Sequence, residues 1–154
     1  MAMNPYPNSR NTHSIQEGAE FLDLVMEQLR TMGFYLQPYT SAKNQLEKGE
    51  SIQGWEVKLD NRFLETGRLS IEIAEKTRAD NENWIPSGIY RKDNSYLYIQ
   101  GNPKDFYVFQ LSLLRWLHKR KIYEEAESFG TVKKFYLPID DANHWCLLHW
   151  YKPK

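Results

Sequence analysis

The residues with the clearest chemical potential lie in Gly54-Trp55-Glu56-Val57-Lys58-Leu59-Asp60, with Glu50 six positions before Glu56 and Glu72 a short way beyond. Along a strand, side chains alternate between faces, so Glu56, Lys58 and Asp60 point one way and Val57 and Leu59 the other. Two carboxylates and an ammonium then share one edge of a sheet, with a further acid within loop reach. Carboxylates suit a hard divalent cation, and a lysine beside them can orient or deprotonate water. Metal-assisted cleavage of a phosphodiester needs that combination. The plainer reading is an ion pair on a solvated strand face, which is worth little at a surface.

The elements that must position these groups can be read along the chain. Residues 1–13 are rich in Asn, Pro and Ser and are expected to form a flexible arm ahead of a single domain over 14–154. Ser14-Ile15-Gln16-Glu17 has the form of a capping box. It opens a helix whose apolar positions Ile15, Ala19, Leu22, Val25, Met26 and Leu29 follow helical spacing, and Gly33 closes it. Phe34-Tyr35-Leu36 reads as a short strand, 40–53 as a polar loop, 54–60 and 68–74 as strands, and 77–83 as a charged loop. Ser87–Arg91 and Ser95–Gln100 read as two more strands joined by a turn at Lys92-Asp93-Asn94. Asn102-Pro103 is expected to start a helix with Phe106, Phe109, Leu113 and Leu117 facing inward. Strands over 132–138 and 144–150 close the chain. A helix, consecutive strands, then helix and strand again give an α+β or mixed α/β fold.

Composition narrows the choices. The 154 residues suit one domain with a real core, and 41% hydrophobic with 14% aromatic residues argue against disorder. No apolar run approaches the roughly 20 residues that cross a bilayer, and the first residues lack a signal-peptide pattern. A cytoplasmic protein without membrane partners is expected. The lone Cys146 excludes an internal disulfide and reads as core. Twenty acids balance twenty bases, so nucleic acid would have to be held by a local basic patch and not by bulk charge. Arg62, Arg68 and Lys92 could supply one, with Arg115, His118, Lys119, Arg120 and Lys121 at the end of the second helix. The helix dipole alone would also favour that last cluster. His144 and His149 read as edge or packing residues.

With these elements placed, the central part resembles the PD-(D/E)XK nuclease superfamily. The wording Gln-Gly-Trp-Glu-Val-Lys-Leu-Asp, then Glu-Thr-Gly-Arg-Leu-Ser-Ile-Glu, then Pro-Ser-Gly-Ile, is similar to small phage and bacterial nuclease-like proteins over roughly residues 14–110. The resemblance implies a restriction-endonuclease-like central sheet flanked by helices. It also implies an endonuclease or exonuclease that cuts DNA with Mg2+ or Mn2+, and it is compatible with a homodimer. Glu56-Val57-Lys58 would be the acid-X-lysine triplet and Glu50 the upstream acid, with Glu47 as a substitute. Glu20 or Glu27 of the first helix could add another acid. On this assignment Glu50, Glu56 and Asp60 would hold metal, while Glu56, Lys58 and Glu72 would take part in catalysis. A second register pairs Asp60 as the upstream acid with Glu72, and takes Lys58 or Lys76 as the lysine. Gly67 and Gly88 serve turns or close approach to phosphate, and Ser87 is a candidate phosphate contact. The competing expectation is a non-catalytic nucleic-acid- or protein-binding module on the same fold.

Overall fold

The structure, a computed structural model, describes residues 9–34 and 54–154. Helix α1 spans Ser9–Thr31. It therefore starts five residues before Ser14, inside the stretch expected to be an arm. Its core stripe is Phe21, Val25, Met26 and Leu29, while Ile15 is exposed. The apolar face thus begins at Phe21, six residues after Ile15 and nearly two turns later than the spacing alone indicates. The strand expected at 34–36, beyond Phe34, and the loop at 40–53 lie outside the described residues.

Strand β1 is Trp55–Leu59 and, after a short helix α2 at Phe63–Thr66, β2 is Arg68–Glu75. Gly67, at φ +74°, closes α2 in the left-handed region, where its lack of a Cβ is needed. Strand β3 is the pair Ile85–Pro86. Gly88–Tyr90 form one 3-10 turn in place of the strand expected at 87–91. The glycine sits at φ +55°, outside strand geometry. Strands β4 (Leu97–Asn102) and β5 (Asp105–Gln110) form a hairpin. Asn102-Pro103 thus makes a turn and does not start a helix. The Asn102 side-chain oxygen accepts the backbone N–H groups of Lys104 and Asp105, an alternative to helical bonding that Asn readily offers. Phe106 and Phe109 consequently lie on a strand, and helix α3 begins only at Leu111 and ends at Lys119. Strand β6 (Glu125–Ser128) and β7 (Val132–Pro138) follow, then helix α4 (Ile139–Trp145) and β8 (Leu148–Tyr151). His144 and Trp145 therefore end a helix instead of starting the last strand.

The fold is α+β, and its strands divide into two four-stranded sheets, not the one central sheet expected. The first has the order β1-β4-β5-β8 and the second β3-β2-β7-β6. In the first, β1 and β4 run parallel and the other neighbours antiparallel; the second is antiparallel throughout. Two apolar layers result. One packs α1 on Trp55, Val57, Ile99, Phe106 and Val108 of the first sheet. The other fills the space between sheets with Tyr98, Tyr107 and Phe109 from the first and Leu69, Ile71, Ile73, Phe135 and Leu137 from the second, closed by α3. The first sheet is therefore covered on both faces.

That arrangement decides where the charged face of β1 points. Val57 belongs to the α1 side, so Glu56 and Lys58 face the second sheet. The parallel register puts Glu56 beside Tyr98 and Lys58 beside Gln100, on the same face. Among the described residues, no helix is long and apolar enough to cross a membrane. Cys146 is half-buried against the inter-sheet core, and burial pushes its thiol pKa up.

Candidate functional site

Where the end of β1 meets β2 and β7, a cleft of about 420 Å³ opens between the sheets. Lys58, Asp60, Tyr98 and Gln100 line it from the first sheet, and Arg68, Ser70, Glu72, Lys134 and Tyr136 from the second. Asn61, Arg62 and Thr66 complete its rim. Lys58, Arg62, Arg68 and Lys134 thus surround Asp60 and Glu72, and the first three also pair with Glu56, Glu65 and Glu124 outside the lining. Cations interleaved with carboxylates in one cleft suit an anionic group held beside an acidic centre.

Asp60 is fixed by three donors. Its Oδ2 accepts the Ser70 N–H at 3.0 Å and the Gln100 amide at 2.9 Å, and its Oδ1 accepts the Arg62 N–H at 3.3 Å. Gln100, 2% exposed, is the centre of this arrangement. It also donates to the Ser70 carbonyl at 2.9 Å and accepts the Tyr98 hydroxyl at 2.9 Å. Glu72 accepts the Ser87 hydroxyl at 2.6 Å. The 3-10 turn presses on it so closely that a Cβ on Gly88 would come within 2.1 Å of the Glu72 carbonyl oxygen. Register sets Glu72 opposite Lys134. Burial, and then the negative charges of Glu56, Glu72 and Asp60, push the Tyr98 phenol well above its ordinary pKa.

Glu56 has a different setting from the other two. It is 2% exposed, does not line the cleft, and is held by two cations. Lys58 Nζ lies 3.1 Å from its Oε1, and Arg91 Nη2 donates to its Oε2 at 3.0 Å. Glu56 thereby fixes the ammonium that enters the cleft. Of the two registers open from sequence, the cleft unites Asp60, Glu72 and Lys58. Glu50 and Glu47 lie outside the described residues. Glu20 and Glu27 are exposed on α1; the helix acid that touches the cleft lining is Glu17, which accepts the Asn61 amide at 3.4 Å.

The remaining basic residues separate into two groups. Arg62 and Arg68 line the cleft, and the Arg68 guanidinium lies 3.6 Å over the Tyr136 ring while pairing with Glu124 at 3.3 Å. Lys119, Arg120 and Lys121 stand exposed around the end of α3, away from this lining. His118 turns inward instead, bonded to Tyr90 and Glu125 and stacked on Phe135. His149 contacts Asp105 and stacks on Tyr107 at 4.1 Å, a packing role.

Comparison with protein-family models, with curated proteins and with solved structures returns no match. Among the described residues, no three His, Cys, Asp or Glu groups stand together as a metal-holding set. Asp60 and Glu72 do offer hard oxygen donors in one cleft. Mg2+ commonly takes only one or two protein carboxylates and fills its other positions with water and phosphate oxygens.

Gln100, Lys134, Tyr136, Arg91 and the Ser87 bond to Glu72 were not anticipated. Gln100 carries a weak signal, since a polar residue follows the apolar run Leu97-Tyr98-Ile99 on the same face as Tyr98. Lys134 and Arg91 carry none, because only long-range pairing brings them to the site.

Proposed function

We propose that this chain is a metal-dependent nuclease that hydrolyses phosphodiester bonds in DNA, working in the cleft between the sheets. The observation that carries the reading is the meeting of Asp60, Glu72 and Lys58 in one cleft. Asp60 and Glu72 would hold a Mg2+ or Mn2+ ion, which when bound lowers the pKa of water and neutralises phosphate charge. Lys58, held by Glu56, positions the attacking water. Lys134 and Arg68 bind the phosphate oxygens on the second-sheet side, and Arg62 binds the neighbouring backbone. The DNA substrate comes from the resemblance in wording around Glu56-Val57-Lys58, and the basic rim is consistent with it.

Plasmid nicking in Mg2+ or Mn2+ tests the proposal. Lys58→Met and Asp60→Asn should each slow cleavage by about 100-fold or more, within the usual range for acid–base and metal-ligand groups. Calorimetric titration should show Mn2+ binding that Asp60→Asn weakens and Glu56→Gln leaves intact, because Glu56 faces cations. Unchanged nicking in both Lys58→Met and Asp60→Asn would sink the reading. The second reading, a non-catalytic nucleic-acid-binding module, draws on the pairing of Glu56 with Lys58 and Arg91. It calls for DNA binding with no metal-dependent nicking.

A further inference from the structure

On the other side of Glu56 lies a second hollow of about 640 Å³, formed by the loop after the 3-10 turn and the outer face of α3. Arg91, Lys92, Arg115 and Lys119 converge on it from two separate chain segments, with Asp93 as its one acidic residue. The charge of Asp93 is already used internally. Its Oδ2 accepts Arg91 Nε at 3.0 Å and its Oδ1 accepts the Ser95 N–H at 2.8 Å. Arg115 is aimed by its Nε, which donates to the Ile89 carbonyl at 2.6 Å. Lys92 and Lys119 are exposed and have no ion-pair partner among the described residues. With Arg91 paired to both Asp93 and Glu56, the three cations Lys92, Arg115 and Lys119 remain on a concave wall and favour an anion.

The hollow is tied to the cleft through a single buried carboxylate. Arg91 reaches Glu56 from this side and Lys58 reaches it from the other, at 3.0 and 3.1 Å. We infer that this second hollow is a phosphate-binding track for the backbone of the same nucleic acid, outside the reacting cleft. Lys92, Arg115 and Lys119 contact phosphates that are not cleaved, and Arg91 forms the floor. The inference rests on the proposed nucleic-acid substrate but not on its hydrolysis. Contacts of this kind carry affinity without sequence information, and each lost contact lowers the salt dependence of binding by a definite increment.

The test is fluorescence anisotropy with a labelled 20-base DNA, as single strand and as duplex, in EDTA over a series of salt concentrations. The doubly substituted Lys92→Glu, Lys119→Glu protein changes only exposed side chains, and circular dichroism checks that it keeps its fold. It should bind at least about tenfold more weakly. Its log–log salt slope should be smaller by about 1.4–1.8, from roughly 0.7–0.9 per lost contact. DNA binding that keeps its affinity and salt slope in the double variant overturns the inference, as does a wild type that binds neither probe. Failure of metal-dependent nicking with this loss of affinity intact would instead overturn only the hydrolytic reading.

Discussion

At the scale of single residues, Gln100 shows how a neutral side chain can organise a charged site. Its amide serves Asp60 and the Ser70 carbonyl, and its oxygen takes the Tyr98 hydroxyl. Gln100→Leu fills a similar volume but takes this partner from the Tyr98 hydroxyl and the Ser70 carbonyl, while Asp60 keeps the Ser70 and Arg62 N–H groups. Urea denaturation should show a loss of about 2–4 kcal/mol, from roughly 1–3 kcal/mol per unsatisfied buried group. Wild-type stability in this variant would show that the network is slack. Much of the site was legible at this scale. The alternation around Glu56, Lys58 and Asp60 gives their common face, while Glu72 enters through the resemblance. The partners were not legible. Arg91 is 35 residues from Glu56, and nothing local in either segment signals that one answers the other's charge.

Among the elements, the 3-10 turn acts as a wedge behind Glu72. Gly88 combines φ +55° with an approach to the β2 backbone that admits no Cβ. Gly88→Ala should cost at least about 2 kcal/mol in chemical denaturation, by strain and displacement of the turn. It should also weaken any Mn2+ binding, because the turn carries Ser87 and its bond to Glu72. A Gly88→Ala protein with wild-type melting would contradict the wedge. The elements read well from sequence are those with strict periodicity: α1 past its first turns, β1, β2 and β7. Those misread are places where a side chain or a glycine overrode the pattern. Asn102 caps a hairpin turn ahead of Phe106, and Gly88 curls a stretch whose composition resembles a strand.

For the whole molecule, the division into two sheets depends on β2 pairing with β7, some sixty residues away, and no local signal reveals it. That pairing forms the cleft by setting Lys134 and Tyr136 against β1. It also seals a phenol-rich layer. Burial holds Tyr98 and Tyr107 in their neutral forms, and burial together with a hydrogen bond to Asp141 raises Tyr123 to about 12. In the unfolded chain these phenols ionise near pH 10. Between that value and their higher folded values the unfolded state has lost protons that the folded state keeps. Stability is therefore full below about pH 10 and falls as pH rises beyond it. Denaturation midpoints measured from pH 8 to 11.5 should decline above 10, and Tyr123→Phe should flatten the decline. A flat profile in the wild type would refute this account.

The hold of Asp60 and Gln100 on Ser70 has a consequence for solubility. The Ser70 N–H and C=O point away from β7, along a border of β2 that no neighbouring strand covers at that residue among those described. An open border of this kind is a template on which another chain can add a strand and begin an aggregate. Here two side chains from the opposite sheet occupy the template's donor and acceptor. The contacts that hold the acid of the cleft in place also guard the chain against sticking to its own copies.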